Sequence, residues 1–293
     1  MRKFLYKKVD AFTSGKSMGN PAAYLFTGSK QLTEEEMLLV GKEHKGFVSE
    51  VVFCLDSDVA DIKLIYYSSE CEVDFCGHGT VATMYDLIKS NEQLRARNEV
   101  TVETNRKGLI TVYNHLDTDD SVHITAPKAQ HLTIPVSLED TANALCISPE
   151  KIYVDYSLDF IDTGLRTLIV PIRDFDTEVS VYPDMDTLKE FCLKNNIDII
   201  LIFCMQTSSS NYYAHTRVFA PKFGYLEDPA TGSGNSAFAN YMLKYELWDG
   251  MPIKVEQGGN NRVFNSVSLM KEGNDILFGG SATLRISGEY FMV

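Results

Sequence analysis

The chain has 293 residues, 44% of them hydrophobic and 23% charged, the composition of a folded globular protein with room for two ordinary domains or one large one. Its 27 basic against 40 acidic side chains give a formal charge of −13 with no cluster of Lys or Arg, which argues against nucleic acid as a partner. No apolar run approaches the roughly 20 residues of a membrane span, and the lysine-broken start "MRKFLYKKVDAFTSG" does not read as a secretory signal, so a cytoplasmic protein with reduced thiols is expected.

Taken in order, the elements of residues 1–125 recur in residues 151–286. An opening strand "KFLYKKVDAF" matches "KIYVDYSLDFID", and "PAAYLF" matches "LRTLIVPI". A helix over 33–44 starts at Thr33 with Glu36 three residues on, a capping box. Its counterpart over about 184–195 has Asp184 or Asp186 as N-cap. Two further strands, "EVVFC" and "IKLIYY", match "ILIFC" and "AHTRVFA".

Two glycine motifs follow, "CGHGT" and "TGSGN", each running into an apolar helix. Val81, Met84, Tyr85 and Ile88 fall at i, i+3, i+4 and i+7, and Phe238, Tyr241, Met242 and Tyr245 repeat that spacing. Small residues fill much of the remaining circumference, so both helices read as central and buried. "NEVTVETNRKGLITVY" then matches "MPIKVEQGGNNRVFNSV", and "SVHITA" matches "DILFGGSA". The segment 127–150, with a short helix between Pro135 and Pro149, reads as the connection. An offset of about 150 to 155 residues is too long for a solenoid. It predicts an α+β protein of two pseudo-symmetric domains, 1–127 and 128–293, each a mostly antiparallel sheet around one helix, with the C-terminal strand a candidate to pack on the first. A ligand is expected in the cleft that both glycine turns would face.

A Gly-x-Gly opening a helix leaves backbone N–H groups free at the positive end of the helix, suited to a carboxylate or an enolate. This marks Cys76, Gly77 and Gly79, and likewise Thr231, Gly232 and Gly234, as substrate-binding candidates. Neither motif is a dinucleotide fingerprint or a P-loop, since the third glycine, the later acidic residue and the lysine are absent. The six cysteines form no CxxC pair, and no metal site is expected.

Glu50 breaks the symmetry. Aligning "EVVFC" with "ILIFC" places it opposite Ile200, so the shared architecture does not require a carboxylate there, and partial burial would tune it as a proton shuttle. The alternative is an exposed glutamate at a strand end. His78, between two glycines, stands opposite Ser233 and favours a polar role. Asp228 lies five residues before Ser233, and Asp before Pro229 also suits a simple turn cap.

The stretches "VDAFT", "GNPAA", "SE" at 49–50, "EVDFCGHGTVA", "RVFAP", "EDPATGSGN" and "EQGG" together resemble the phenazine-biosynthesis isomerase family, the PhzF-like proteins, which share the diaminopimelate epimerase fold. The resemblance implies two domains, each a curved sheet around a central helix, and a homodimeric isomerase that needs no cofactor. It assigns proton transfer to Glu50, assistance to His78, Asp228 and Ser233, and substrate contact to Asn20. Its substrate would be a small molecule bearing a carboxylate.

Related racemases use two cysteines, one from each motif. Cys76 stands at the first of these positions, but Thr231 fills the second, and a hydroxyl is far too weak an acid to replace a thiol. Cys76 therefore reads as a small residue packed beneath its turn. The "YYSSECEVD" segment departs from a "TP" frequent in the family, so the substrate-facing loop differs. The other readings are an amino-acid racemase using Cys76 and a binding protein without catalysis.

Overall fold

The computed structural model describes residues 1–29 and 32–292. The chain divides into two compact units, residues 1–125 with 279–293, and residues 126–278. In chain order the first comprises β1 (Arg2–Ala11), β2 (Asn20–Gly28), α1 (Glu34–Glu43), β3 (Val51–Leu55), β4 (Ile62–Tyr67), β5 (Glu72–Val73), α2 (Gly77–Ser90), α3 (Glu92–Arg95), β6 (Glu99–Thr104), β7 (Gly108–His115), α4 (Leu116–Asp119) and β8 (Ser121–Thr125). The second contains β9 (Gln130–His131), α5 (Leu138–Ala144), β10 (Asp159–Asp162), β11 (Arg166–Pro171), α6 (Phe175–Ser180), α7 (Met185–Lys194), β12 (Ile199–Cys204), β13 (Ala214–Phe219), β14 (Glu227–Asp228), α8 (Gly232–Lys244), β15 (Ile253–Gln257) and β16 (Asn265–Glu272). The boundary falls within β17 (Asp275–Gly280), and β18 (Ala282–Met292) returns to the first unit, antiparallel to β1 from Arg2 to Ala11.

Both sheets are mostly antiparallel and share the same exceptions. In the first unit β2 runs parallel to β3 and β4 to β6; in the second β11 runs parallel to β12 and β13 to β15. A side-chain contact repeats as well. Ser57 Oγ donates to Glu103 at 2.6 Å, and the Ser208 backbone N–H donates to Glu256 at 2.6 Å.

Alternation along β3 explains why its sheet is covered on both faces. Val51 and Phe53 pack with Met37 and Val40 of α1, while Val52 faces α2, close to Gly79. Polar ties fix the central helix: Tyr24 Oη donates to Asp86 at 2.6 Å, and the Tyr66 and Thr80 hydroxyls are 2.8 Å apart. In β12, Ile200 and Ile202 join the core with Leu188 and Cys192 of α7. Phe203 turns the other way, its ring 4.6 Å from that of Phe238 in α8.

The Thr33–Glu36 capping box is present on α1, and Asp184 caps α7 through the Thr187 N–H at 2.9 Å. One expected strand is much shorter than its sequence pattern. Over "KIYVDYSLDFID" only Asp159–Asp162 forms a strand. Ile152 makes a single bridge to Ile172, and the Tyr156 N–H then bonds the Tyr153 carbonyl to close a turn that leaves Val154 exposed. Nor is 127–150 a bare connection, since Gln130–His131 pairs with β10 and Ala142, Ala144 and Leu145 enter the second core. None of the six cysteines is in a disulfide; Cys71 and Cys146 are exposed and the rest buried.

Candidate active site

The start of α2 gathers three reactive side chains. Glu50 immediately precedes β3, held there by its carbonyl, which accepts from the Ala23 N–H of β2. Cys76 is the N-cap of α2, its backbone extended (φ −126°, ψ 105°) and its Sγ accepting from the Gly79 N–H at 3.3 Å. His78 sits in the first turn. Its Nε2 is 3.3 Å from Glu50 Oε2, and Cys76 Sγ is 3.6 Å from the same oxygen and 3.5 Å from His78 Nδ1. The side chains of Glu50 and His78 are 19% and 15% exposed, so the group is sheltered yet reachable.

Burial pushes His78 down to about 4, against a weaker opposing pull from the Pro21 backbone carbonyl. The imidazole is therefore neutral near pH 7. Gly79 is required by space: a Cβ there would lie 2.9 Å from Cys76 Sγ and 3.0 Å from Val52 Cγ2. The thiol is thus buried under the turn as expected, but it also touches both polar partners rather than only filling space.

The start of α8 repeats the backbone and changes the chemistry. Thr231 adopts φ −123° and ψ 112°, nearly the values of Cys76, but makes no side-chain cap. Its hydroxyl instead donates to Asp228 Oδ2 at 2.6 Å. Gln257, fully buried, organises the turn: its Oε1 accepts from the Thr231 N–H at 3.0 Å and from Asn235 Nδ2 at 2.8 Å, and its Nε2 donates to the Asp228 carbonyl at 2.8 Å. Gly232 leaves no room for a side chain, since a Cβ would come within 2.1 Å of the Phe278 ring. The Ser233 carbonyl accepts from Thr163 Oγ1 at 3.0 Å.

The strand ladders refine the comparison between halves. Val52 pairs with Tyr66, and Tyr66 with Val73; Leu201 pairs with Val218, and Val218 with Asp228. Counting back two residues from Val52 and Leu201 places Glu50 opposite Ile199, one residue from the Ile200 that motif alignment suggested. Ile199 is buried and aliphatic, so the asymmetry of Glu50 stands. The same ladder sets Asp228 opposite Val73, a second carboxylate without a twin.

Glu50, Cys76 and His78 thus come together, as do Asp228 and Thr231. Asn20 is buried at the start of β2 and adjoins Pro21, the residue whose carbonyl meets His78. Two contributors went unassigned from sequence. Gln257 lies in the "EQGG" stretch, where a buried amide at a strand end carries no local signal. Arg217, in "RVFAP", forks onto Glu227 at 2.9 Å through both Nε and NH2 and so anchors β14, which presents Asp228.

Two units of repeated plan, each a mostly antiparallel sheet with a long buried helix that starts at a glycine turn, define an epimerase-like fold. The fold is shared with a hydroxyproline epimerase from Agrobacterium vitis, solved with bound trans-4-hydroxy-L-proline (TM-score 0.62, 12% identity, 99% of this chain and 91% of that one), a likeness of fold alone. The chain belongs to the phenazine biosynthesis-like protein family, PhzC-PhzF, whose model matches residues 9–284. It is 30% identical to the uncharacterized isomerase YfhB of Bacillus subtilis over 254 residues, 86% of this chain and 85% of that one. It also resembles the crystal structure of a PhzF-family phenazine biosynthesis protein from Bacillus anthracis (TM-score 0.86, 27% identity, all of both chains). No helix among the described residues is long and apolar enough to cross a membrane.

Proposed function

We propose that the chain is a cofactor-independent isomerase that moves a proton between carbons of a small carboxylate-bearing molecule, with Glu50 as the shuttle. The observation that carries this is the Glu50–His78 contact of 3.3 Å at a partly sheltered position with no counterpart in the second half. Glu50 takes the proton from carbon and returns it. His78, neutral, holds the carboxylate and passes protons to and from it. The N–H groups that open α2, of which that of Gly79 already bonds Cys76 Sγ, suit the substrate carboxylate or the enolate formed on deprotonation. Asp228, Thr231, Gly232, Ser233 and Gly234 are candidates for further substrate contacts, and Asn20 for one beside Pro21.

The racemase alternative needs a second thiol-like base. The bond from the Thr231 hydroxyl to Asp228 weighs against it, because it uses Thr231 as a donor to a carboxylate rather than as a base. A homodimer with no nucleic acid or membrane partner fits the family resemblance.

The test is hydrogen exchange at carbon. A panel of cyclic and amino carboxylates is incubated with the protein in heavy water, and C–H signals are followed by NMR. Wild type exchanges a substrate proton; Glu50→Gln loses about 10²–10⁴-fold in rate, the range of a general acid–base group, while still binding the same compound. Exchange by Glu50→Gln at the wild-type rate sinks the proposal.

A further inference from the structure

Glu50, Cys76 and His78 have a second property that acid–base chemistry does not use. One carboxylate oxygen, one sulfur and one imidazole nitrogen lie within 4.8 Å of one another. Through His78 Nε2 the three separations are 3.8 Å from sulfur to nitrogen, 3.6 Å from sulfur to oxygen and 3.3 Å from nitrogen to oxygen. A tetrahedral Zn2+ with bonds of about 2.3 Å to sulfur and about 2.0–2.2 Å to nitrogen and oxygen spaces its ligands roughly 3.4–3.6 Å apart. The triangle therefore has the size of one face of a zinc tetrahedron, and small side-chain adjustments would complete it. Three protein ligands with one position left open is the coordination of zinc sites that exchange their fourth ligand.

We propose that Glu50, Cys76 and His78 form a Zn2+ site, in which the ion ties up the shuttle and its neutral partner and so silences proton transfer. The ion is an inhibitor here rather than a cofactor. Its site follows from the geometry alone, and only the silencing rests on the isomerase reading. Binding requires the thiolate, so the thiol proton leaves to solvent as the Zn–S bond forms, and binding strengthens as pH rises. The Gly79 N–H already directed at Sγ favours that thiolate.

Spacing rules look for ligands two to four residues apart in pairs, and this set joins a residue before β3 to two at the start of α2, 26 positions later. That is why the cysteine pattern alone suggested no metal. The deposit of charge is also suitable: a thiolate and a carboxylate offset a divalent cation at a site only partly open to water.

The experiment uses Co2+ as a spectroscopic stand-in for zinc, with the full chain carrying Cys71→Ser and Cys146→Ser to remove the exposed thiols. Anaerobic titration is expected to give a sulfur-to-cobalt charge-transfer band and tetrahedral visible bands saturating at one ion per chain, with about one proton released. Zn2+ should then displace the cobalt. Cys76→Ser abolishes the charge-transfer band, and Glu50→Gln keeps the band but weakens binding by at least about tenfold, no less than the loss of an outer-shell partner costs, both variants retaining the far-ultraviolet circular dichroism of the background. Absence of the band at excess cobalt, or a band that persists undiminished in folded Cys76→Ser, overturns the proposal, as does unchanged affinity in Glu50→Gln. None of these readouts involves a substrate, so they stand or fall apart from the isomerase assignment.

Discussion

A single buried amide, Gln257, carries more of the second glycine turn than either of its hydroxyls. It satisfies the Thr231 N–H, the Asn235 amide and the Asp228 carbonyl at once. Replacing it by Leu removes all three bonds and leaves the buried Thr231 N–H without the acceptor it has here, so Gln257→Leu is expected to lower stability by about 1–3 kcal/mol, read from urea unfolding. Glu50 and His78 stood out in the sequence because each departs from its counterpart in the repeat, whereas Asp228 was marked by its place before Ser233 and by the family resemblance, and its lack of a twin shows only in the strand ladder. Gln257 and Arg217 were not legible, because their value comes from partners 10–29 residues away that only the folded strands bring near. Cys76 was half legible: its burial followed from its place before Gly-x-Gly, but its contacts with Glu50 and His78 depend on β3 lying beside the start of α2.

At the level of elements, the helix starts are governed by space as much as by hydrogen bonds. Gly232→Ala would drive a methyl into the Phe278 ring, and destabilisation of about 1–3 kcal/mol is expected, the usual cost of overpacking. Adding Phe278→Leu should return part of it, measured by thermal unfolding of the single and double variants. The turn from α7 into β12 depends instead on charge. Asp198 accepts two bonds from the Arg166 guanidinium, at 2.9 and 2.8 Å, and one from Lys222 at 2.7 Å; these hold its carboxyl well below the usual range despite opposing burial. A carboxylate whose folded value is depressed adds stability above its unfolded value, and that stability is lost as pH falls through the folded one. Asp198→Asn should therefore cost about 2–3 kcal/mol at pH 7, and the difference should shrink once pH drops below about 4. The caps at Thr33 and Asp184 were readable from local sequence, as caps are local. The strand "KIYVDYSLDFID" misled because alternation survives across a turn, and only the Tyr153–Tyr156 hydrogen bond shows where it breaks.

For the whole molecule, the decisive feature is the return of β18 to the first unit, where it pairs with the full length of β1. Ending the chain after Phe278 would strip β1 of that partner and expose a long row of unpaired backbone groups. Hydrogen exchange followed by mass spectrometry is expected to show lost protection across β1–β4 in such a truncation, with β10–β13 still protected; equal protection in both would refute this. The doubled plan was evident from the order of motifs, and the last strand was a candidate to pack on the first domain, whereas its register against β1 has no signature in either sequence segment alone. Its consequence reaches back to synthesis. The unit that bears Glu50 begins at the N-terminus, yet its sheet lacks an edge until residues 279–293 emerge from the ribosome. Residues 126–278 are made in between, which at about 5–20 residues per second takes roughly 8–30 s. During that interval the later half can fold first, so the half translated earliest is the one finished last, and a nascent chain stalled before β18 would carry Glu50, Cys76 and His78 on an incomplete scaffold.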